Sequence, residues 1–391
     1  MPKALVDCDA FFASCEQSRN PSLKGKSILV SGAPGTRSIV SSASYPAKVK
    51  GVRAGMSPAE ALRLCPESII VEGDFSLYST YNRLMDSRLR TYGFPVEVSS
   101  IDEFYLDMDC SYDEAVKAIK DFASWVRSKL GITVSAGIAP TRTLAKLASE
   151  MRKPDGLTVL MPCGLPGSIA HLGVDSLLGV GKVTSSKLKA KGIKVLGDLL
   201  SADKMALEGT GYTRDSIRAV LAGTLEGNPA EPDSPPESIS CRMTLPYDTT
   251  DEDLIFHCLN ILCDLVSSRL RKQGLAANRV SVTARYEDYS TSSLTRSFDR
   301  SVSTAYHVSE LAFPLWREHY NGGKKLRMLG IALSLLGSCP EGINQLPLLR
   351  EDAAKLLVTR AIDRVRNRYG DAKLFMGSLL IVTKNPGRRN P

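Results

Sequence analysis

The chain has none of the usual metal-binding cysteine and histidine patterns. Its nine cysteines (positions 8, 15, 65, 110, 163, 241, 258, 263 and 339) include no CxxC, and no two of its four histidines fall at ligand spacing. Zinc chemistry is excluded, and an odd set of dispersed thiols reads as reduced cysteine in a reducing compartment. No stretch approaches the roughly 20 apolar residues of a membrane helix, and there are no repeats or low-complexity tracts. The opening MPKALVDCDAFF carries a hydrophobic strand but no signal-peptide cleavage pattern, so a cytoplasmic protein is expected. Charge of one sign is only mildly in excess: 50 Lys+Arg against 42 Asp+Glu gives +8, compatible with a polyanionic partner without establishing one.

What is present is a globular composition, 43% hydrophobic and 24% charged, over 391 residues, which points to two to four domains. Strands are expected at residues 3–7, 27–30, 39–42, 95–101, 104–108 and 133–138. Helices are expected at 12–17, 58–64, 77–92, 113–130 and 144–151. This interleaving suggests a split βαβ-type sheet with helices on one face. Around residues 177–200 the texture turns to short helices joined by glycines. Residues 228–238 (NPAEPDSPPES) read as an exposed linker. Beyond it a β-α-β-β-α-β order suggests a second ferredoxin-like sheet. A tail from about residue 342 adds an extended apolar piece and a helix with Ala354, Leu357, Val358, Ala361, Val365 and Tyr369 on one face.

Acidic residues interrupt apolar sequence at two places. Asp7 and Asp9 break VDCDAFFAS, and Asp102 and Glu103 break VSSIDEFYLDMD. Neighbouring carboxylates in hydrophobic sequence are costly to desolvate and repel one another, unless cations lie between them. Oxygen ligands without His or Cys favour Mg²⁺ or Mn²⁺. A pair of such ions about 3.5–4 Å apart serves in-line displacement at phosphorus. Adjacent residues on a flat strand point to opposite faces, so Asp102 and Glu103 share a metal only if a hairpin or bulge turns one round. Spacing alone equally describes acids of a hairpin turn facing water.

DCDAFFAS at 7–14, SIDE at 100–103 followed by FYLD, and AGIAPTRTLAKLAS at 136–149 resemble the Y-family DNA polymerases, the translesion enzymes of the DNA polymerase IV and V kind. NPSLKGKSILV at 20–30, GVRAGM at 51–56 and MRKPDG at 151–156 stand in the family's order, so the likeness spans roughly residues 3–335. It implies an α/β (α+β) multidomain right hand: a palm (1–19 and 76–164), small fingers (20–75), a helix-hairpin-helix thumb (165–228), a linker (229–239), a βαββαβ little finger (240–340) and a tail (341–391). It implies a monomeric, error-prone, template-directed polymerase using two Mg²⁺ ions, with Mn²⁺ as substitute, and no proofreading exonuclease. Its substrates would be primer-template DNA and deoxynucleoside triphosphates. Asp7 and Asp102 would hold both metals, Glu103 would complete the catalytic site, and the Cys8 backbone carbonyl would add a ligand. Ala10, Phe11 and Phe12 would pass beside the triphosphate. Phe12 would be the steric gate, an aromatic ring with room for hydrogen but not hydroxyl at C2′; Phe11 reads better as core. Ser42, Tyr45, Lys48 and Lys153 would grip the phosphates. Here the chain departs from the family, reading YPAK at 45–48 where Tyr-Glu-Ala-Arg is usual. A point charge replaces a bidentate fork, and weaker phosphate binding is expected.

LLGVGKVTSSKLKAKGIKVLGDLL at 177–200 resembles a helix-hairpin-helix. Gly179 and Gly181 would let backbone N–H groups approach a phosphate, and Lys182, with Lys187, Lys189, Lys191 and Lys194, adds sequence-independent attraction. In the second α/β unit Arg285 and Arg296 are candidate DNA contacts. In INQLPLLRED, Gln345, Leu346, Leu348 and Leu349 resemble the peptide with which bacterial polymerases dock on the sliding clamp. The rival reading is a catalytically inactive relative acting as a DNA-and-clamp adaptor. Such a protein is expected to have lost its metal-site acids, and this chain keeps them.

Overall fold

The strand expected around KALVD is the middle of a five-stranded sheet. β1 (Lys3–Cys8) is followed by α1 (Phe11–Arg19), β2 (Ile28–Ser31), β3 (Ser42–Ala43), α2 (Tyr45–Val49), α3 (Pro58–Leu64), β4 (Ile69–Glu72), α4 (Phe75–Arg90), β5 (Val96–Val98), β6 (Glu103–Asp107), α5 (Tyr112–Trp125), β7 (Val134–Ala139), α6 (Arg142–Met151) and β8 (Leu157–Val159). This computed structural model describes residues 1–33, 36–208, 213–226, 236–320, 322–338 and 350–370, with Leu374 and Gly377. They divide into two compact units, Met1–Pro232 and Asp233–Pro391.

Strand order in the main sheet of the first unit is β5-β6-β1-β7-β8. β1 is antiparallel to both neighbours, so Asp7 stands opposite Glu103 on one side and Ser135 on the other. Alternation decides what each face meets. Ala4, Val6, Cys8, Phe104, Leu106, Val134 and Ile138 join Met85 and Leu89 of α4 and Ile119 and Phe122 of α5 in one core. Leu5 instead packs with Leu144, Ala145 and Ala148 of α6. Helices therefore cover both faces, not one, and Gly137 shows why. A Cβ there would stand 2.1 Å from the Ala145 carbonyl oxygen and 2.7 Å from the Ala148 Cβ, so the missing side chain lets α6 lie directly on β7. The helix expected over 113–130 starts on a Ser111–Glu114 capping box and passes at Val126 into a π turn ending at Leu130.

A second small sheet, β3-β2-β4, closes over Leu29, Val40, Ala43, Ala47, Val52, Ala61 and Cys65. Beyond β8, the helices α7 (Lys182–Ala190), α8 (Leu196–Ser201), α9 (Lys204–Leu207) and α10 (Arg214–Leu221) bring Leu188, Leu196, Leu199 and Ile217 into the core on the α6 side.

The second unit has the expected β-α-β-β-α-β order: β9 (Ser238–Thr249), α11 (Glu252–Lys272), β10 (Leu275–Tyr286), β11 (Thr291–Val302), α12 (Ala305–His319) and β12 (Leu326–Ser338), with sheet order β11-β10-β12-β9. Val280, Val282, Ala284, Leu329, Ile331 and Leu333 bury one sheet face under α11 and α12. The other face is polar, tied by Ser281–Thr295 and Thr283–Ser293 hydroxyl pairs across β10 and β11.

The final helix, α13 (Arg350–Tyr369), carries the apolar face seen in the sequence. Its apolar stripe does not pack: Leu357, Val358, Val365 and Tyr369 are exposed. The helix docks through charge instead. Asp363 accepts two bonds from Arg271 (2.6 and 2.8 Å) and Arg366 gives two to Asp264 (3.1 and 2.7 Å), both joining α13 to α11. Partly buried, geometrically paired ions hold this contact in place of the hydrophobic pattern. Among the described residues no helix is long and apolar enough to cross a membrane.

Candidate active site

Asp7 is nearly buried at 5% exposure, and its register partner Glu103 projects from the same sheet face. One cation bridges them. The Lys146 ammonium lies 2.8 Å from Asp7 Oδ2, 2.7 Å from Glu103 Oε1 and 2.8 Å from Glu150 Oε1. Lys153 takes the other oxygen of Asp7 at 2.7 Å and the same Glu150 oxygen at 2.8 Å. Lys146, Glu150 and Lys153 are spaced i, i+4 and i+7, which places them along one side of α6 and the turn after it. That spacing was the available signal for Lys146 and Glu150, which sequence reasoning missed.

These contacts set the local ionisation. Burial alone would raise Asp7, yet Lys146 and Lys153 hold it below the usual carboxylate range. Burial raises Glu103 above that range, reinforced by the neighbouring Asp7 charge, and the share of Lys146 it receives does not offset this. Lys146 is raised despite its burial, because three carboxylates surround it.

Asp102 takes a different position from its two companions. It lies in the bend before β6, where its backbone carbonyl accepts from the Cys8 N–H (3.0 Å) and its carboxylate accepts from Ser100 Oγ (2.6 Å). It is still close, because that carbonyl is bonded to the residue next to Asp7; the Cys8 thiol is pushed up first by burial and then by the charges of Asp102 and Asp7. Among the described residues, no three His, Cys, Asp or Glu side chains converge as metal ligands. Asp7 and Glu103 do converge on one position, filled by an ammonium as stand-in cation and lined by hard oxygens. That donor set fits a divalent ion of the Mg²⁺ class.

Asp9 is structural. At 1% exposure it accepts from Thr133 Oγ1 (2.8 Å), Ser135 Oγ (2.7 Å), the Asp155 amide (2.8 Å) and Tyr45 Oη (3.3 Å). It thereby ties β1 to β7, α2 and the turn that carries Lys153.

The turn from β1 into α1 runs through Ala10 in the left-handed region (φ 47). Phe11 is buried, as expected of a core residue. Phe12 stacks on Tyr78, centroids 4.3 Å apart at 11°, with Phe75 tilted against it at 5.6 Å. Ser42 Oγ accepts from the Ala13 N–H (3.4 Å) at the first turn of α1. Lys48 sits over the Tyr45 ring, 4.8 Å from its centroid. Its ammonium is held below the ordinary lysine range by burial and then by repulsion from Lys153. Asp9 links the two segments: Tyr45, under the Lys48 ammonium, and the Asp155 amide in the turn after Lys153 both donate to its carboxylate.

Gly179 has φ 92, and Gly181 is the N-cap of α7. Lys182 is exposed at that end of the helix, whereas Lys189 is paired with Asp175 and Lys191 with the Met205 carbonyl. In the second unit Arg285 lies on the polar sheet face, bonded to Thr291 Oγ1 (3.1 Å). Arg296 does not join it there. It has the parity of Leu294 and Phe298, which pack toward the core, and it pairs with Glu318 of α12 at 2.7 Å. Gln345, Leu346, Leu348 and Leu349 lie outside the described residues.

Comparison with known proteins agrees with this picture. A family model described as the impB/mucB/samB family matches residues 6–150, and one for that family's C-terminal domain matches residues 236–348. DNA polymerase IV 1 of Bacillus subtilis is 32% identical, over 96% of this chain and 92% of its own length. DNA polymerase IV of Clostridium kluyveri is 32% identical, over 97% and 98%. Among solved structures, a Y-family DNA polymerase chimera of Dbh and Dpo4 matches with a TM-score of 0.76 at 28% identity, covering 86% of this chain and 99% of that one. An insertion ternary complex of Dbh DNA polymerase matches with a TM-score of 0.59 at 26% identity, covering 85% and 98%. The chain therefore belongs to the impB/mucB/samB family and is a Y-family translesion DNA polymerase, a DNA-directed enzyme dependent on a divalent metal.

Proposed function

We propose that this chain is an error-prone, cytoplasmic, monomeric polymerase that extends primers past damaged template bases using two Mg²⁺ ions, with Mn²⁺ as substitute, and without a proofreading exonuclease. The observation that carries this reading is the convergence of Asp7 and Glu103 on one cation position. When bound there, the metal would make the primer 3′-hydroxyl a better nucleophile toward the α-phosphate and offset charge on the leaving pyrophosphate. Asp7 and Glu103 would supply carboxylate ligands, and Asp102 would join them by exchanging its Ser100 hydrogen bond for the metal. The Cys8 carbonyl would complete the set.

The triphosphate would lie along the start of α1, where the backbone of Ala10, Phe11 and Phe12 meets Ser42, Tyr45, Lys48 and Lys153. Backbone N–H groups at a helix start, with the Lys48 and Lys153 ammoniums, suit an anion. Phe12, backed by Tyr78, would exclude a 2′-hydroxyl. We assign the five-stranded sheet to a palm (1–19, 76–164), the small sheet to fingers (20–75), α7–α10 to a thumb (165–228) and the second α/β unit to a little finger (240–340) after a linker (229–239). Fingers of that size leave the nascent base pair open, which favours lesion bypass over fidelity. Backbone amides around Gly179 and Gly181, with Lys182, would hold duplex phosphates. The polar sheet face bearing Arg285 would do the same without reading sequence. Gln345, Leu346, Leu348 and Leu349, in the tail (341–391), would tether the enzyme to a bacterial sliding clamp. Extension of a primed template by the parent protein beside Asp102→Ala tests the reading. Loss of synthesis in the variant is expected, and equal extension would overturn the part given to Asp102.

A further inference from the structure

We propose that Lys146 is a displaceable internal cation, which holds Asp7 and Glu103 together in the metal-free enzyme and passes to Glu150 when a divalent ion binds. This rests on the reading that Asp7 and Glu103 are metal ligands. An ammonium has three donors, and here each meets a different carboxylate: Asp7 at 2.8 Å, Glu103 at 2.7 Å and Glu150 at 2.8 Å. A Mg²⁺-type ion needs the Asp7 and Glu103 oxygens at about 2.1 Å. It cannot share them with a second cation already in contact, so Lys146 must give way.

The destination is already in place. Glu150 lies one turn along α6, is bonded to both Lys146 and Lys153 and has a side chain 49% exposed, so it can follow the Lys146 ammonium. A lysine stem has four flexible carbons, so side-chain rotation is enough. α6 itself stays fixed, seated on β7 at Gly137. Without Lys146 the facing carboxylates would repel one another, and the ammonium between them offsets that repulsion. Lys153 has a different part, since it holds the other Asp7 oxygen and does not stand between Asp7 and Glu103. The apparent metal affinity is therefore a competition, weakened by Lys146 and restored in part by Glu150. Glu150 is a positioning residue that acts through Lys146.

The test is Mn²⁺ titration of the full chain, by calorimetry or electron paramagnetic resonance, without DNA or nucleotide. Lys146→Met should bind Mn²⁺ about tenfold more tightly than the parent, and Glu150→Gln more weakly by several-fold. In a double-mutant cycle most of the Glu150→Gln effect should vanish in the Lys146→Met background. Metal-free Lys146→Met should also melt below the parent, with the gap closing at saturating Mn²⁺. Unchanged or weaker binding by Lys146→Met, or a Glu150→Gln effect undiminished in that background, would overturn the proposal. Glu150 is exposed, so its variant remains informative if Lys146→Met folds poorly. Asp7→Asn separates the two levels. Abolished Mn²⁺ binding there supports the ligand reading on its own, whereas parent-like binding would overturn that reading and this proposal together.

Discussion

The Phe12 ring lies nearly parallel to Tyr78, centroids 4.3 Å apart, and the Tyr78 hydroxyl donates to buried Glu16 at 2.7 Å. The half-buried Phe12 ring is thus held flat by a fully buried one. The gate proposed at Phe12 would depend on this backing as much as on its own ring. Tyr78→Leu should reduce discrimination against ribonucleotides about tenfold, read as the ratio of kcat/KM for deoxy- and ribonucleotides. Tyr78→Phe should keep the sugar ratio and lose about 1–3 kcal/mol in denaturant unfolding, because Glu16 loses a donor. Unchanged sugar selection in Tyr78→Leu would remove Tyr78 from the gate.

Asp9 is expected to matter for folding. Its carboxylate satisfies donors from β7, α2 and the turn after α6 at once. Asp9→Ala should lower stability by about 3 kcal/mol or more in urea unfolding, since several donors are left buried without a partner. A loss well under about 1 kcal/mol would contradict this role.

Acid should weaken metal binding earlier than an ordinary glutamate would. Glu103 is raised above its usual value, by burial and then by Asp7. A metal ligand must be ionised, and a group with a raised value takes up its proton at higher pH. Mn²⁺ affinity measured against pH should therefore begin to fall above the ordinary glutamate value of about 4.3. In Glu103→Gln that component of the pH dependence should be absent.

Replacing Leu348 and Leu349 together by Ala should abolish stimulation of synthesis by the sliding clamp and spare synthesis without it. Undiminished stimulation would refute the docking role.

Much of this was legible in the sequence because the strongest signals were local. Short apolar and β-branched runs pointed to β1, β6 and β7, the second unit's β-α-β-β-α-β order was expected, and the acids stood out against the apolar sequence. Four things were hidden. α2, β4 and β8 are too short to carry a period. Arg296 was assigned by charge, although strand parity with Leu294 and Phe298 puts it on the helix side. The packing face of α13 is ionic, and Asp363 and Arg366 resemble solvated charges until Arg271 and Asp264 are brought to them by the fold. Lys146 was hidden for a related reason: only the close seating of α6 at Gly137 brings it over Asp7.

The central claim is that Asp7 and Glu103 together serve metal-dependent nucleotidyl transfer. Single-turnover extension of a primed template in Mg²⁺ by the parent and by Glu103→Gln tests it most directly. Incorporation by the variant should fall on the order of a thousandfold or more, with primer-template binding retained. Incorporation by Glu103→Gln within a few-fold of the parent would contradict the claim.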